Sequence, residues 1–175
     1  MRSIVFGPLL RLVPVGLVAL SIQRVVFAAH PVFHDVKLQF VLALVVAAGA
    51  GGGADRGAVA GFVLGLMYDI SGNTPLGLMA LAYGLGGMTA GYVHSFTPDP
   101  QWWLASIFAF FGAAVGEAAI PVAEVITGEN GWLTSDASWT IPIVAAFAAL
   151  MCPLLMPVGR WMMGVRRKKW KAMLE

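Results

Sequence analysis

The stretch GFVLGLMYDISGNTPLGLMALAYG, residues 61–84, decides the fold. It sets one carboxylate, Asp69, at the end of a glycine-spaced apolar run and follows it with a short polar turn. No charged residue lies between Arg56 and Asp69, and the next one after it, His94 apart, is Asp99. An ionised side chain at the middle of a bilayer costs at least about 2.5–3.5 kcal/mol on insertion scales. An acid in such surroundings needs a reason.

Composition defines those surroundings. Hydrophobic residues make up 59% of the 175 and charged residues 11%, against about 25% charged in soluble domains. With a mean hydropathy of +0.81, a water-soluble fold would have to hide more apolar surface than it can cover. The composition implies an all-α integral membrane protein. A helix crosses a hydrocarbon core of about 30 Å with about 20 residues, and runs of that kind fall near 8–29, 36–53, 57–71, 75–95, 102–126 and 139–163. Six transmembrane helices then form one domain over residues 1–165, and residues 166–175 form a basic tail. Arg2, Arg11 and the apolar stretch after them resemble a signal peptide. The run continues past Arg24, however, and Val26-Phe27-Ala28 makes a weak cleavage site, so it reads as a retained first span. GAGGGADRG, residues 49–57, is the turn between spans two and three, with Asp55 and Arg56 at its tip.

Charge gives the orientation. With the N-terminus inside, Arg2, Arg11, Arg56, Arg160, Arg166, Arg167, Lys168, Lys169 and Lys171 fall on the cytoplasmic side, and only Arg24 and Lys37 fall outside. That bias is the positive-inside pattern, and it puts both termini in the cytoplasm. Trp102, Trp103, Trp139, Trp161 and Trp170 flank spans and Trp132 lies in a loop, as indole rings that favour the headgroup boundary should. The tail, with Arg166, Arg167, Lys168, Lys169 and Lys171, is a topology anchor on anionic lipid or a docking site for a cytoplasmic partner.

Small residues recur along the spans: Gly57, Gly61 and Gly65 on the third, Gly77, Ala80, Gly84, Gly87 and Gly91 on the fourth, Gly112 and Gly116 on the fifth. Such stripes let helices approach closely where lipid provides no hydrophobic drive. They serve packing within the chain or the helix of another protein.

The motifs of catalysis are missing. GAGGGADRG lacks the Lys-Ser/Thr of a phosphate loop, and GLGGMTAG, residues 84–91, has Thr89 where a dinucleotide fingerprint has its third glycine. There is no GxSxG elbow. Tyr68-Asp69 matches half of an intramembrane aspartyl protease, whose second carboxylate would need a GxGD context that the chain does not contain. His30, His34 and Asp35 sit in one loop, short of a ligand set, and Pro31 discourages helical spacing there. Cys152 is alone and has no disulfide partner. These absences predict a non-enzymatic protein with no cofactor, no metal and no nucleic-acid partner.

Four ionisable residues fall inside or near the ends of spans: Arg24, Asp69, Glu117 and Glu124. By depth, Arg24 can pair with Asp69 or with Glu117, and Gln23 can add hydrogen bonds. Arg24, Asp69 and Glu117 are therefore expected to form a buried polar knot between three helices, or else to line a small-molecule pocket or meet a partner's helix. In the turn, Asn73 or Thr74 can cap span four, with Pro75 at its first helical position.

GAVAGFVLGLMYDISGNTPLGLMALAYGLGGMTAGYV, residues 57–93, resembles the core of the bacterial rod-shape-determining MreD family. Gly57, Gly61, Phe62, Gly65, Leu66, Asp69, Pro75, Leu76, Gly77, Ala80 and Leu81 fit that family's pattern, and Gln23 falls where its members usually carry glutamine. The resemblance by motif covers about residues 15–95; spans five and six fit in general character alone. It implies a scaffold of the cell-wall elongation complex (the elongasome) in the bacterial inner membrane. Such a scaffold binds MreC and, directly or indirectly, RodA, PBP2 and the actin-like MreB, and so supports peptidoglycan synthesis and rod shape. It also implies a bundle similar to the S component of energy-coupling-factor vitamin transporters, which makes a substrate-binding transporter subunit the alternative function.

Overall fold

The computed structural model describes residues 2–27, 36–72, 75–127 and 137–165, with backbone alone for residues 2–9, 123, 124, 126, 127, 137 and 138. Six α-helices follow one another in this order. α1 spans Arg2–Ile22 and continues as a π-helical turn, Gln23–Phe27. α2 spans Phe40–Gly52, α3 Ala54–Ser71 and α4 Leu78–Gly91, the last continued by a 3-10 turn, Tyr92–Ser95. α5 spans Trp102–Thr127 and α6 Ala137–Met162. No strand occurs among the described residues.

Three helices contain segments long and apolar enough to cross a membrane: Leu10–Phe27, Trp102–Val122 and Trp139–Met162. The other three differ in kind. α2 has 13 residues and α4 has 14, so at 1.5 Å per residue each is about 20 Å long, short of a core of about 30 Å. α3 has 18 residues but carries Asp55, Arg56 and Asp69. The expected second span is helical only from Phe40, and the expected fourth only from Leu78. Short helices in an apolar bundle leave the orphan N–H and C=O groups of their ends away from water, and those groups must find partners in the protein.

The core is built around α2. Eleven of its residues, Val41 through Gly51, are buried, and α3, α4, α5 and α6 all pack on it. A helix apolar on every side belongs in the middle of a bundle. α6 comes close enough that a Cβ added at Gly159 would lie 2.7 Å from the Ala48 Cα. Cys152 is fully buried in the same core. α1 touches α2, α3 and α6 and exposes Leu10, Leu17 and Val18, as the π-helical turn after it exposes Val25.

The closest helix pair is α3 with α4. A Cβ on Gly57 would collide with the Gly87 carbonyl, one on Gly61 with the Tyr83 carbonyl, and one on Gly65 with the Met79 carbonyl. The three α3 glycines therefore face α4 residues in descending order, which is an antiparallel hairpin held backbone to backbone. Trp102, Trp103, Trp139 and Trp161 lie at helix ends and are all exposed; Trp132 and Trp170 lie outside the described residues.

Candidate functional site

Asp69 stands in the last turn of α3 and is 3% exposed. Its carboxylate turns across the hairpin to the start of α4. Oδ2 accepts the N–H of Gly77 at 2.9 Å and of Ala80 at 3.3 Å, and Oδ1 accepts the N–H of Met79 at 3.2 Å. α4 has no cap from its own N-cap residue, which is Gly77 at φ 97°. That backbone conformation suits glycine, and no side chain is there to do the capping. The cap is supplied by the preceding helix, and the positive end of the α4 dipole stabilises the carboxylate in return. Pro75 precedes the helix: its carbonyl accepts the N–H of Leu78 at 3.2 Å in a turn. The expected cap by Asn73 or Thr74, with Pro75 opening the helix, is thus corrected for Pro75; Asn73 and Thr74 lie outside the described residues.

α2 begins the same way. Gln39, its N-cap residue, makes no cap bond of its own. Gln23, in the π-helical turn after α1 and 4% exposed, presents Oε1 to the N–H of Phe40 at 2.5 Å and of Val41 at 3.4 Å, while its Nε2 donates to the Leu38 carbonyl at 2.9 Å. The next residue, Arg24, donates to the carbonyl and the Oγ of Ser71 at the end of α3. Two consecutive side chains therefore tie one helix start and one helix end.

Glu117 on α5 is 8% exposed and accepts a hydrogen bond at 2.6 Å from Gln39 Nε2; the Oε1 of that glutamine accepts one at 2.7 Å from the fully buried Tyr83 hydroxyl. The relay Tyr83–Gln39–Glu117 links α4, the head of α2 and α5. Tyr68 leans edge-on against Tyr83, with ring centroids 6.0 Å apart. Arg24, Asp69 and Glu117, expected to meet in one knot, are thus held by three different sets of partners. For Arg24 and Asp69 the physical reason is demand: backbone groups at helix ends take up these side chains, whereas Glu117 is taken up by the Gln39 side chain.

The C-terminus of α2 is satisfied in the same manner at the opposite end of the bundle. His94 sits with a ring nitrogen 3.0 Å from the Ala50 carbonyl, and Arg160 Nε donates to the Gly51 carbonyl at 3.3 Å. Arg160 also pairs with Asp99 at 2.9 Å. Among the described residues, no buried side-chain nitrogen or oxygen lacks a partner.

The motif residues divide into two groups. Gly57, Gly61, Gly65, Asp69 and Gly77 serve the α3–α4 hairpin internally. Phe62 and Leu76 are 54% and 76% exposed. Phe62, with Val59, Leu81, Gly84, Leu85 and Met88, lines an apolar groove of about 380 Å³ on the outer side of α3 and α4. Gly84 belongs to this groove, because a Cβ there would meet nothing closer than 3.6 Å. His30, His34, Asp35 and the tail Arg166, Arg167, Lys168, Lys169 and Lys171 lie outside the described residues, as does the side chain of Glu124.

Sequence reasoning missed Gln39, Tyr83, His94 and Arg160 as members of the polar network. A signal existed for two of them. A phenol inside an apolar helix needs an acceptor, and a glutamine at the head of an apolar run is placed to supply one.

The chain matches no family model, no curated protein and no solved structure. What the fold and the site define is therefore a class: an all-helical protein with three helices fit to cross a membrane and polar side chains that cap the ends of its shorter ones.

Proposed function

We propose that the chain is a non-enzymatic scaffold of the MreD type, a multi-pass protein of the bacterial inner membrane with both termini in the cytoplasm. It binds MreC and helps position RodA, PBP2 and MreB for peptidoglycan synthesis along the cell cylinder. One observation carries this reading: the residues that give the family resemblance act together in a single unit. Gly57, Gly61 and Gly65 admit the α4 backbone, and Asp69 caps α4 at Gly77. A motif that builds one hairpin, rather than lining a reaction centre, suits a protein whose work is to present surfaces. In this reading the apolar groove beside Phe62 is lipid-facing surface open to a partner's single membrane helix.

The transporter alternative calls for convergent polar groups open to a ligand. Gln23, Asp69, Gln39, Tyr83 and Glu117 instead hold helix ends and one another, which favours the scaffold.

The test is a gentle-detergent pull-down of the tagged chain from its native membrane, read by mass spectrometry. The expected result is recovery of a single-span MreC-like protein with wall synthases. Recovery of paired ATPases with a membrane coupling protein would establish the transporter subunit instead.

A further inference from the structure

The end of the bundle that carries the α2–α3 turn holds six described ionisable side chains beyond the tail: Arg11 on α1, Asp55 and Arg56 on α3, His94, Asp99 and Arg160. Arg160 pairs with Asp99, and His94 meets the Ala50 carbonyl. Asp55 is exposed and adjacent to Arg56 in sequence, and neighbours one apart on a helix do not face each other. Among the described residues neither Arg11 nor Arg56 has an acidic partner.

Both cations lie near the C-terminal end of α6. The Arg11 guanidinium lies over the Trp161 ring, 5.5 Å from its centroid, and NH1 is 3.5 Å from the Trp161 carbonyl. Just past the helix, Val165 and the Arg56 stem meet at Gly52, each 3.4 Å from the position a Gly52 Cβ would take. The turn there is fixed. Gly164, at φ 65°, donates to the Trp161 carbonyl at 3.2 Å, and Val165 donates to the Arg160 carbonyl at 2.9 Å, which closes the helix. Away from this end the surface turns apolar at once, with Leu10, Leu154 and Val158 exposed.

We infer that Arg11, Trp161 and Arg56 form a binding site for the headgroup of an anionic phospholipid. The charge is complementary, since a guanidinium offers a fork of donors to a phosphate. The position suits a lipid and not a soluble anion, because the apolar surface next to the cations matches acyl chains. An exposed indole under a cation belongs at the headgroup boundary. This inference rests on the reading of the chain as a membrane protein and is independent of the scaffold function.

The test uses the purified full chain, without partners, reconstituted in vesicles of equal phosphatidylglycerol and phosphatidylcholine. Lipid retained after mild-detergent extraction is then read by native mass spectrometry. Wild type is expected to retain phosphatidylglycerol selectively. Arg11→Gln and Arg56→Gln are each expected to reduce that selectivity about fivefold, the factor corresponding to about 1 kcal/mol per surface cation. A chain with its five tail cations neutralised is expected to keep the selectivity. If Arg11→Gln does not fold, Arg56→Gln and Trp161→Leu carry the test. Equal retention of the two lipids by wild type would overturn the inference. So would undiminished selectivity in the folded arginine variants, selectivity lost with the tail alone, or displacement of the lipid by millimolar inorganic phosphate.

Discussion

The carboxylate of Asp69 accepts the backbone N–H of Gly77 at 2.9 Å, and through that bond the end of one helix fixes the beginning of the next. Asp69 also receives the N–H groups of Met79 and Ala80, so one side chain satisfies three donors. Its burial follows from this duty, because an apolar site with three convergent N–H groups at a helix start suits a carboxylate.

Asp69→Ala is expected to lower stability by about 2 kcal/mol, the scale of a lost cap that leaves buried donors unpaired. Asp69→Asn keeps one acceptor oxygen and should lose less. Thermal unfolding of both variants in detergent checks the order. Equal losses would mean that the charge, and not the acceptor geometry, matters at this position.

The glycines of the α3–α4 hairpin are expected to separate cleanly from Gly84. A Cβ on Gly61 would lie 2.7 Å from the Gly84 nitrogen and closer still to the Tyr83 carbonyl. Gly61→Ala must therefore push two backbones apart, at a cost of roughly 1–3 kcal/mol. Gly84→Ala meets nothing nearer than 3.6 Å and should be neutral or gain up to about 1 kcal/mol of helix propensity. Matched unfolding curves decide it, and a destabilised Gly84→Ala would contradict the assignment of that glycine to the outer groove.

For the relay, Tyr83→Phe removes one hydrogen bond and leaves Gln39 Oε1 without its donor, at a cost of about 1 kcal/mol. Glu117→Gln retains a carbonyl acceptor for Gln39 and should cost no more. Because both side chains act on Gln39, their effects should fall short of or exceed simple addition by at least about 0.5 kcal/mol in a double-mutant cycle. Strict additivity would show the two bonds to be independent.

Arg160 has two partners of unequal importance. Asp99 is 68% exposed on its side chain, and exposed ion pairs contribute about 0–1 kcal/mol. Asp99→Asn should change the unfolding midpoint little, and added salt should change it little as well. Arg160→Met also uncovers the Gly51 carbonyl and should be clearly the more damaging of the two. The reverse order would assign the stabilisation to the ion pair.

The sequence was informative wherever a constraint was local. Periodic glycines at 57, 61 and 65 pointed to close helix packing, and tryptophans at the ends of apolar runs marked the boundaries of helices. The lone acid in the Tyr68-Asp69 stretch announced that something at that depth needed a carboxylate. Its partners were another matter. Gln23 and Asp69 each bind backbone N–H groups that carry no side-chain signature, so pairing by charge suggested Arg24 as the partner of Asp69 or Glu117 instead. Gln39 and Tyr83 carried a local signal, but their pairing depends on two residues 44 apart meeting over a 2.7 Å hydrogen bond.

The sequence by itself determined the class of this protein: too little charge and too much apolar length for anything but a helical chain with segments fit to cross a membrane. The tertiary structure alone decided which backbone groups at the ends of short helices are left without water, and hence which buried polar side chains answer them. Composition is a property of the chain and can be read in one dimension. The demand for a cap arises only when α2 and α4, at 13 and 14 residues, end inside the bundle.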